Sequence, residues 1–186
     1  MRRARAGGYR SRAAFKLQEI NTRDRVLVPG ACVVDLGAAP GGWSQVAAGI
    51  VGAKGRVVAL DLLEVAPIPG VTVLQGDFRE GGTRERVAAA LGGRKADLVL
   101  SDLSPNLSGI ASSDQARAAE LVRAVLRFCR AQLAPRGALL VKVFQGEEFA
   151  GLLREMKALF REVRTIKPAA SRDESRETYV LGRDLS

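Results

Sequence analysis

ACVVDLGAAPGGWSQVA (31–47) decides the fold. It opens on a short β-branched run, turns through Gly37, Gly41 and Gly42, and enters an apolar segment that continues as WSQVAAGIV (43–51). A β-branched run closed by glycine reads as a buried strand, and the segment after it as a helix. Working outward, GRVVALDLL (55–63), VTVLQGD (71–77), ADLVLSD (96–102) and GALLVKVF (137–144) are further strands. The long amphipathic segment from Asp114 to Leu133 separates the last two, EEFAGLLREMKALF (147–160) is another helix, and residues 161–166 and 177–182 have strand-like patterns. On the other side, SRAAFKLQEI (11–20) sets Ala14, Phe15, Leu17 and Ile20 on one side of a helix, with Ser11 as N-cap and Lys16 on or near the open face. Strand and helix alternate throughout, which predicts an α/β fold with an open, mostly parallel sheet and helices on both faces. There is no repeat, low-complexity tract or domain-separating linker. A single compact domain is expected, with 1–25 a basic N-terminal arm and helix and 26–186 the sheet domain.

Composition narrows the chemistry. The 186 residues are 47% hydrophobic and 26% charged, the balance of a soluble globular chain long enough to bury a continuous core. No apolar run approaches the roughly 20 residues that cross a bilayer, so a cytoplasmic location without membrane contact is expected. Cys32 and Cys129 sit in apolar stretches without metal-ligand spacing and read as reduced, buried thiols. Histidine is absent, which removes His-based triads, His-containing zinc sites and the commonest general base. No acidic cluster has the form of a Mg²⁺ cage, and no metal is expected.

The net charge of +9 is unevenly distributed. Residues 1–25 carry eight basic side chains (Arg2, Arg3, Arg5, Arg10, Arg12, Lys16, Arg23 and Arg25) against Glu19 and Asp24, whereas 26–153 carry thirteen against twelve. A basic arm beside a near-neutral core points to a polyanion held by its phosphates. A solubilising tail is the bland reading. A transit peptide fits less well, because the segment runs directly into a patterned helix.

The turn after the first strand lets backbone pass close to a ligand, and the helix after it offers free N–H groups. Such turns serve NAD, nucleotides and S-adenosylmethionine alike, and some merely pack tightly. Asp61 ends the second strand, twenty residues beyond Gly41, where a carboxylate can hold a ribose hydroxyl pair. Asp77 follows the third strand as an acceptor suited to an adenine amino group. A dinucleotide site usually shows G-x-G-x-x-G for its pyrophosphate; here the turn is G-A-A-P-G-G with Asp35 before it. A cofactor with an ammonium group and no phosphate suits that turn better, which favours S-adenosylmethionine over NAD.

Lys16, Asp102, Lys142 and Glu177 stand where core logic would not put them. Lys142 interrupts the apolar strand GALLVKVF, and a lysine there is costly unless carboxylates or solvent meet it. The alternative is an edge-strand charge that discourages aggregation, with the other three as solvated loop charges.

SRAAFK (11–16), VVDLGAAPGGWSQVA (33–47), ALDLL (59–63), QGDF (75–78), LSDLSPNLSG (100–109), LVKVFQGE (140–147) and SRETYVL (175–181) together resemble the FtsJ-like ribosomal RNA 2′-O-methyltransferases over nearly the whole chain. The bacterial members that modify a uridine in the A-loop of large-subunit rRNA fit best. The resemblance implies a Rossmann-like S-adenosylmethionine-dependent methyltransferase fold with a seven-stranded sheet. It carries a Lys-Asp-Lys-Glu tetrad onto Lys16, Asp102, Lys142 and Glu177, and cofactor contacts onto Gly41, Trp43, Asp61, Asp77 and Asp102. Two departures stand out: Ser104 replaces the usual Ala before Pro105, and part of the expected N-terminal extension is absent.

What the resemblance implies, the residue types permit. A 2′-hydroxyl attacks the cofactor methyl, and the protein orients the hydroxyl and removes its proton. Lys142 is the candidate base, with the Lys16 ammonium favouring its neutral form and Asp102 and Glu177 holding the geometry. Trp43 is expected to pack at the helix start beside the cofactor. The expected partner is large-subunit rRNA or the assembled large ribosomal subunit, bound by a monomer. Competing readings are the same chemistry on tRNA or an mRNA cap, a non-catalytic RNA-binding relative, and an NAD-linked oxidoreductase.

Overall fold

In the computed structural model, residues 8–106, 108–171 and 175–186 are described; Arg2, Arg3 and Arg5 of the expected arm lie outside them. Seven strands form one sheet: β1 (Cys32–Leu36), β2 (Arg56–Asp61), β3 (Val71–Gln75), β4 (Ala96–Ser101), β5 (Leu133–Phe144), β6 (Phe160–Ile166) and β7 (Glu177–Leu185). Their order is β3-β2-β1-β4-β5-β7-β6, parallel from β3 to β5, with β7 antiparallel to both β5 and β6. From β1 the chain winds outward to β3, then returns to β4 on the other side. Crevices open at the carboxyl ends of the strands where winding reverses, here between β1 and β4. Because β7 runs backwards, its first residue, Glu177, reaches that same edge.

Alternation along the strands divides the core in two. Cys32, Val34 and Leu36 of β1, Val58 and Leu60 of β2, and Val141 and Val143 of β5 face one way, against helices α3 (Gly81–Ala90), α4 (Ala111–Gln132) and α5 (Phe149–Leu159). Val33, Leu98, Leu100, Leu140, Tyr179 and Leu181 face the other way, against α1 (Ala13–Asp24) and α2 (Gly42–Val51). Strands covered on both faces explain the near-continuous apolar runs in the sequence.

The elements differ from expectation in identifiable ways. Helix α1 starts at Ala13, and Ser11 is not its N-cap: Arg12 holds that position without a side-chain cap, while the Ser11 carbonyl accepts from Ala14 N. Its buried residues are Ala14, Leu17, Ile20 and Asp24; Phe15 turns aside to meet the Tyr9 ring edge-on, centroids 5.9 Å apart. Helix α3 was not expected. It opens on Gly81 and Gly82 and buries only Thr83 and Val87, too narrow a stripe to show in the pattern. Strand β5 begins at Leu133, before Pro135 and Gly137, and a register shift against β4 between Ala96 and Leu98 absorbs these turn-forming residues. Both cysteines are buried and free. Among the described residues no helix is long and apolar enough to cross a membrane.

Candidate active site

The four residues singled out for lacking a place in a core meet at the carboxyl edge. Strand β5 lies between β4 and β7, so Lys142 is not an edge-strand charge; its side chain is 7% exposed. It is paired with Tyr179 in the β5–β7 register, on the face covered by α1. The Lys142 ammonium donates to the Asp102 carbonyl at 3.0 Å and stands 3.4 Å from Asp102 Oδ1 and 3.8 Å from Glu177 Oε1. Lys16 Nζ reaches Glu177 Oε2 at 3.3 Å. Lys16 is therefore half-buried against β7 and not on the open face of α1. Two ammonium groups and two carboxylates alternate as Lys16, Glu177, Lys142, Asp102, which leaves neither buried sign without a counter-charge.

Tyr179 organises this cluster and escaped the sequence reading. Its ring is fully buried, its hydroxyl donates to Asp102 Oδ1 at 2.7 Å, and Lys16 Nζ lies 5.8 Å from the ring centroid. Burial pushes the phenol well above its ordinary range, and the Asp102 and Glu177 charges add to this, so it stays a proton donor. The available signal was its position two residues after Glu177 in ETYVL, on the same face of one strand. Trp43 packs on Tyr179, centroids 5.7 Å apart, and donates from Nε1 to the Ala13 carbonyl at 2.7 Å, tying α2 to α1.

Beside the cluster, Asp61 and Asp77 line an open cleft of about 430 Å³ with Gly37, Phe78, Leu103 and Pro105. Gly37 has φ +76°, and a Cβ there would collide with Leu103 Cδ2, so the chain can turn this closely only without a side chain. Gly41, Trp43 and Asp102 lie outside the lining of that cleft. Gly41, at φ +113°, is the N-cap of α2 and presses against Ile68. Asp61 accepts Ala39 N on Oδ2 at 2.9 Å and Leu63 N on Oδ1 at 2.8 Å. One lone pair per oxygen remains for a ligand hydroxyl. Asp77 is gripped by the Arg79 guanidinium at 2.9 Å on Oδ1 and 2.5 Å on Oδ2, which holds its carboxyl below the usual range. An amino group approaching Asp77 must share it with Arg79.

Asp35 does not present its charge to the turn. It is 1% exposed and accepts Ser44 Oγ at 2.7 Å; burial raises its carboxyl to about 7, against the lowering effect of Ser44 and with the nearby Asp102 and Asp61 charges adding to the rise. Arg10, counted from sequence among the cations of the arm, donates to the carbonyls of Pro40 at 3.2 Å, Ala66 at 2.7 Å and Pro67 at 2.6 Å, while its backbone N–H meets Gln45 Oε1. It clamps the Gly41 turn to the loop after β2.

Comparisons with known proteins extend over this whole arrangement. The chain is 55% identical over 185 residues to a ribosomal RNA large subunit methyltransferase E from Azoarcus sp., covering all of this chain and 90% of that protein. It is 54% identical to the protein of that name from Nitrosomonas europaea, over 98% of this chain and 88% of the other. The crystal structure of a ribosomal RNA methyltransferase from Plasmodium falciparum superposes with a TM-score of 0.85 at 27% identity, covering 95% of this chain and 98% of that one. The model of the FtsJ-like methyltransferases matches residues 9–185, a span that runs from before Lys16 to beyond Glu177. With the seven-stranded sheet and all four charged residues of the cluster inside that span, the chain belongs to the FtsJ-like methyltransferase family.

Proposed function

We propose that this chain methylates the 2′-hydroxyl of a ribose in large-subunit rRNA, a uridine of the A-loop, using S-adenosylmethionine, with Lys142 as general base. The observation that carries the reading is the convergence of Lys16, Asp102, Lys142 and Glu177 at the strand edge next to the Asp61–Asp77 cleft. The names of the relatives supply the RNA class.

The residues fit the cofactor. Asp61 keeps acceptor capacity for a ribose hydroxyl pair, Asp77 for an amino group shared with Arg79, and the turn at Gly37 leaves no space for a side chain. When bound, S-adenosylmethionine supplies a methyl group already activated for displacement by its sulfonium. The protein does the rest. Lys142, once neutral, accepts the proton that the 2′-oxygen loses as it bonds to the methyl carbon, and the C–S electron pair leaves with the thioether product. Asp102 and Glu177 fix the amine by accepting from it on two sides, Tyr179 fixes Asp102, and Lys16 fixes Glu177. Holding the base and hydroxyl in one geometry is the larger part of what such a site contributes.

The test uses purified protein, radiolabelled S-adenosylmethionine and large ribosomal subunits from cells lacking the modification. Label should appear in an alkali-resistant dinucleotide, the mark of a 2′-O-methyl group, mapped to the A-loop. Label in tRNA alone would move the reading to another RNA, and NAD bound in preference to S-adenosylhomocysteine would remove it.

A further inference from the structure

Against the charged cluster lies a second hollow of about 180 Å³ that neither the cofactor-binding residues nor the tetrad uses. Its apolar wall is Phe144, Ala118 and Pro105, and its polar rim is Gln115, Gln145 and Arg176. Three relationships tie it to the chemistry. Phe144, the last residue of β5, is paired with Glu177 in the β5–β7 register. The Lys142 ammonium stands 5.8 Å from the Phe144 ring centroid. Pro105 lines both this hollow and the cofactor cleft, so the two share a wall.

We propose that this hollow receives the base of the nucleotide that is methylated, with Phe144 as its stacking surface and Gln115, Gln145 and Arg176 as the groups that read its edge. The proposal rests on the functional reading above and extends it to substrate selection. A ribose whose 2′-oxygen is at Lys142 must place its base within a few ångströms, and an unpaired base is held by an aromatic face and by hydrogen bonds to its edge. The half-buried Phe144 offers that face. Amides carry both a donor and an acceptor, which match the alternating carbonyl and N–H groups of uracil, and a guanidinium donates only. The neighbouring Asp114 is not available for this: its carboxylate accepts from Ser108 N, Ser108 Oγ and Gly109 N, closing the loop before α4. Gln115, by contrast, is packed over Gly146, where a Cβ would come within 2.7 Å of Oε1, so its amide has a defined place.

The experiment is single-turnover methyl transfer to large subunits lacking the modification, with the target nucleotide either uridine or changed to cytidine. The wild-type protein should favour uridine by about tenfold to a hundredfold, the worth of one or two hydrogen bonds to a base edge. Gln115→Leu should collapse that preference toward one, and Phe144→Leu should slow transfer to both substrates, while calorimetry with S-adenosylhomocysteine shows unchanged affinity in each. Gln145→Ala and Arg176→Gln, at exposed positions, keep the test open should Phe144→Leu fail to fold. Variants that keep the wild-type rate and uridine preference, or a wild-type protein with no preference, overturn the proposal and leave the methyltransferase reading standing. A wild-type protein that methylates neither subunit overturns both.

Discussion

The Tyr179 hydroxyl donates to Asp102 Oδ1 at 2.7 Å, binding β7 to the loop after β4 across the strand that carries Lys142. Both residues point at one ammonium from opposite sides, so the geometry of the base depends on a hydrogen bond between its neighbours. Tyr179→Phe keeps the ring and deletes the bond. The single-turnover rate should fall by about tenfold or more with little change in KM, since orientation of the base counts in the transition state. Denaturant unfolding should show a loss of roughly 1.5–3 kcal/mol, as for a hydrogen bond to a charged group. A variant with unaltered rate would show that the phenol is only packing.

Lys142→Ala should abolish methyl transfer and leave affinity for S-adenosylhomocysteine nearly intact, because its role belongs to the transition state. In the wild-type protein the chemical step should quicken as pH rises, since the ammonium must lose its proton before it can accept one. Single-turnover kinetics across pH check both, and a Lys142→Ala protein with most of its rate would end the assignment.

Asp35 offers a pH test of stability. Burial sets its folded value at about 7, against an ordinary 3.8, so between those values the folded state holds a proton that the unfolded chain has released. Its contribution is fully present below pH 3.8 and is lost as pH rises through 7, a change of roughly 4 kcal/mol across the window. Asp35→Asn retains an acceptor for Ser44 Oγ and removes the ionisation. Denaturant melts from pH 4 to 8 should show the variant gaining on the wild-type protein as pH increases. Parallel curves would mean that Asp35 does not titrate there.

The basic arm is tested without Arg10, whose guanidinium is committed to three carbonyls. Replacing Arg2, Arg3 and Arg5 with Gln should weaken RNA binding and flatten its salt dependence, by about 0.7 to 0.9 in the log–log slope for each phosphate that the arm ceases to neutralise. Methyl transfer at saturating RNA should persist. An unchanged affinity and slope, measured by filter binding across salt concentrations, would make the arm a solvated tail.

The sequence alone determined the α/β alternation, because buried parallel strands and amphipathic helices carry distinct periods, and it exposed Lys142 because a charge inside an apolar run violates the pattern around it. The glycine turn, Asp61 and Asp77 were legible for the same local reason: each follows a strand end. Only the tertiary structure decided that β7 runs backwards between β5 and β6, which brings Glu177 to the carboxyl edge and lays Tyr179 beside Lys142. It alone separated Asp35, turned inward to Ser44, from Asp61 in the cleft, and Arg10, a clamp on carbonyls, from the cations of the arm. Periodicity reports which face of an element is buried. Which distant polar group meets it there is fixed by strand order and register, and these arise from contacts between residues far apart in the chain.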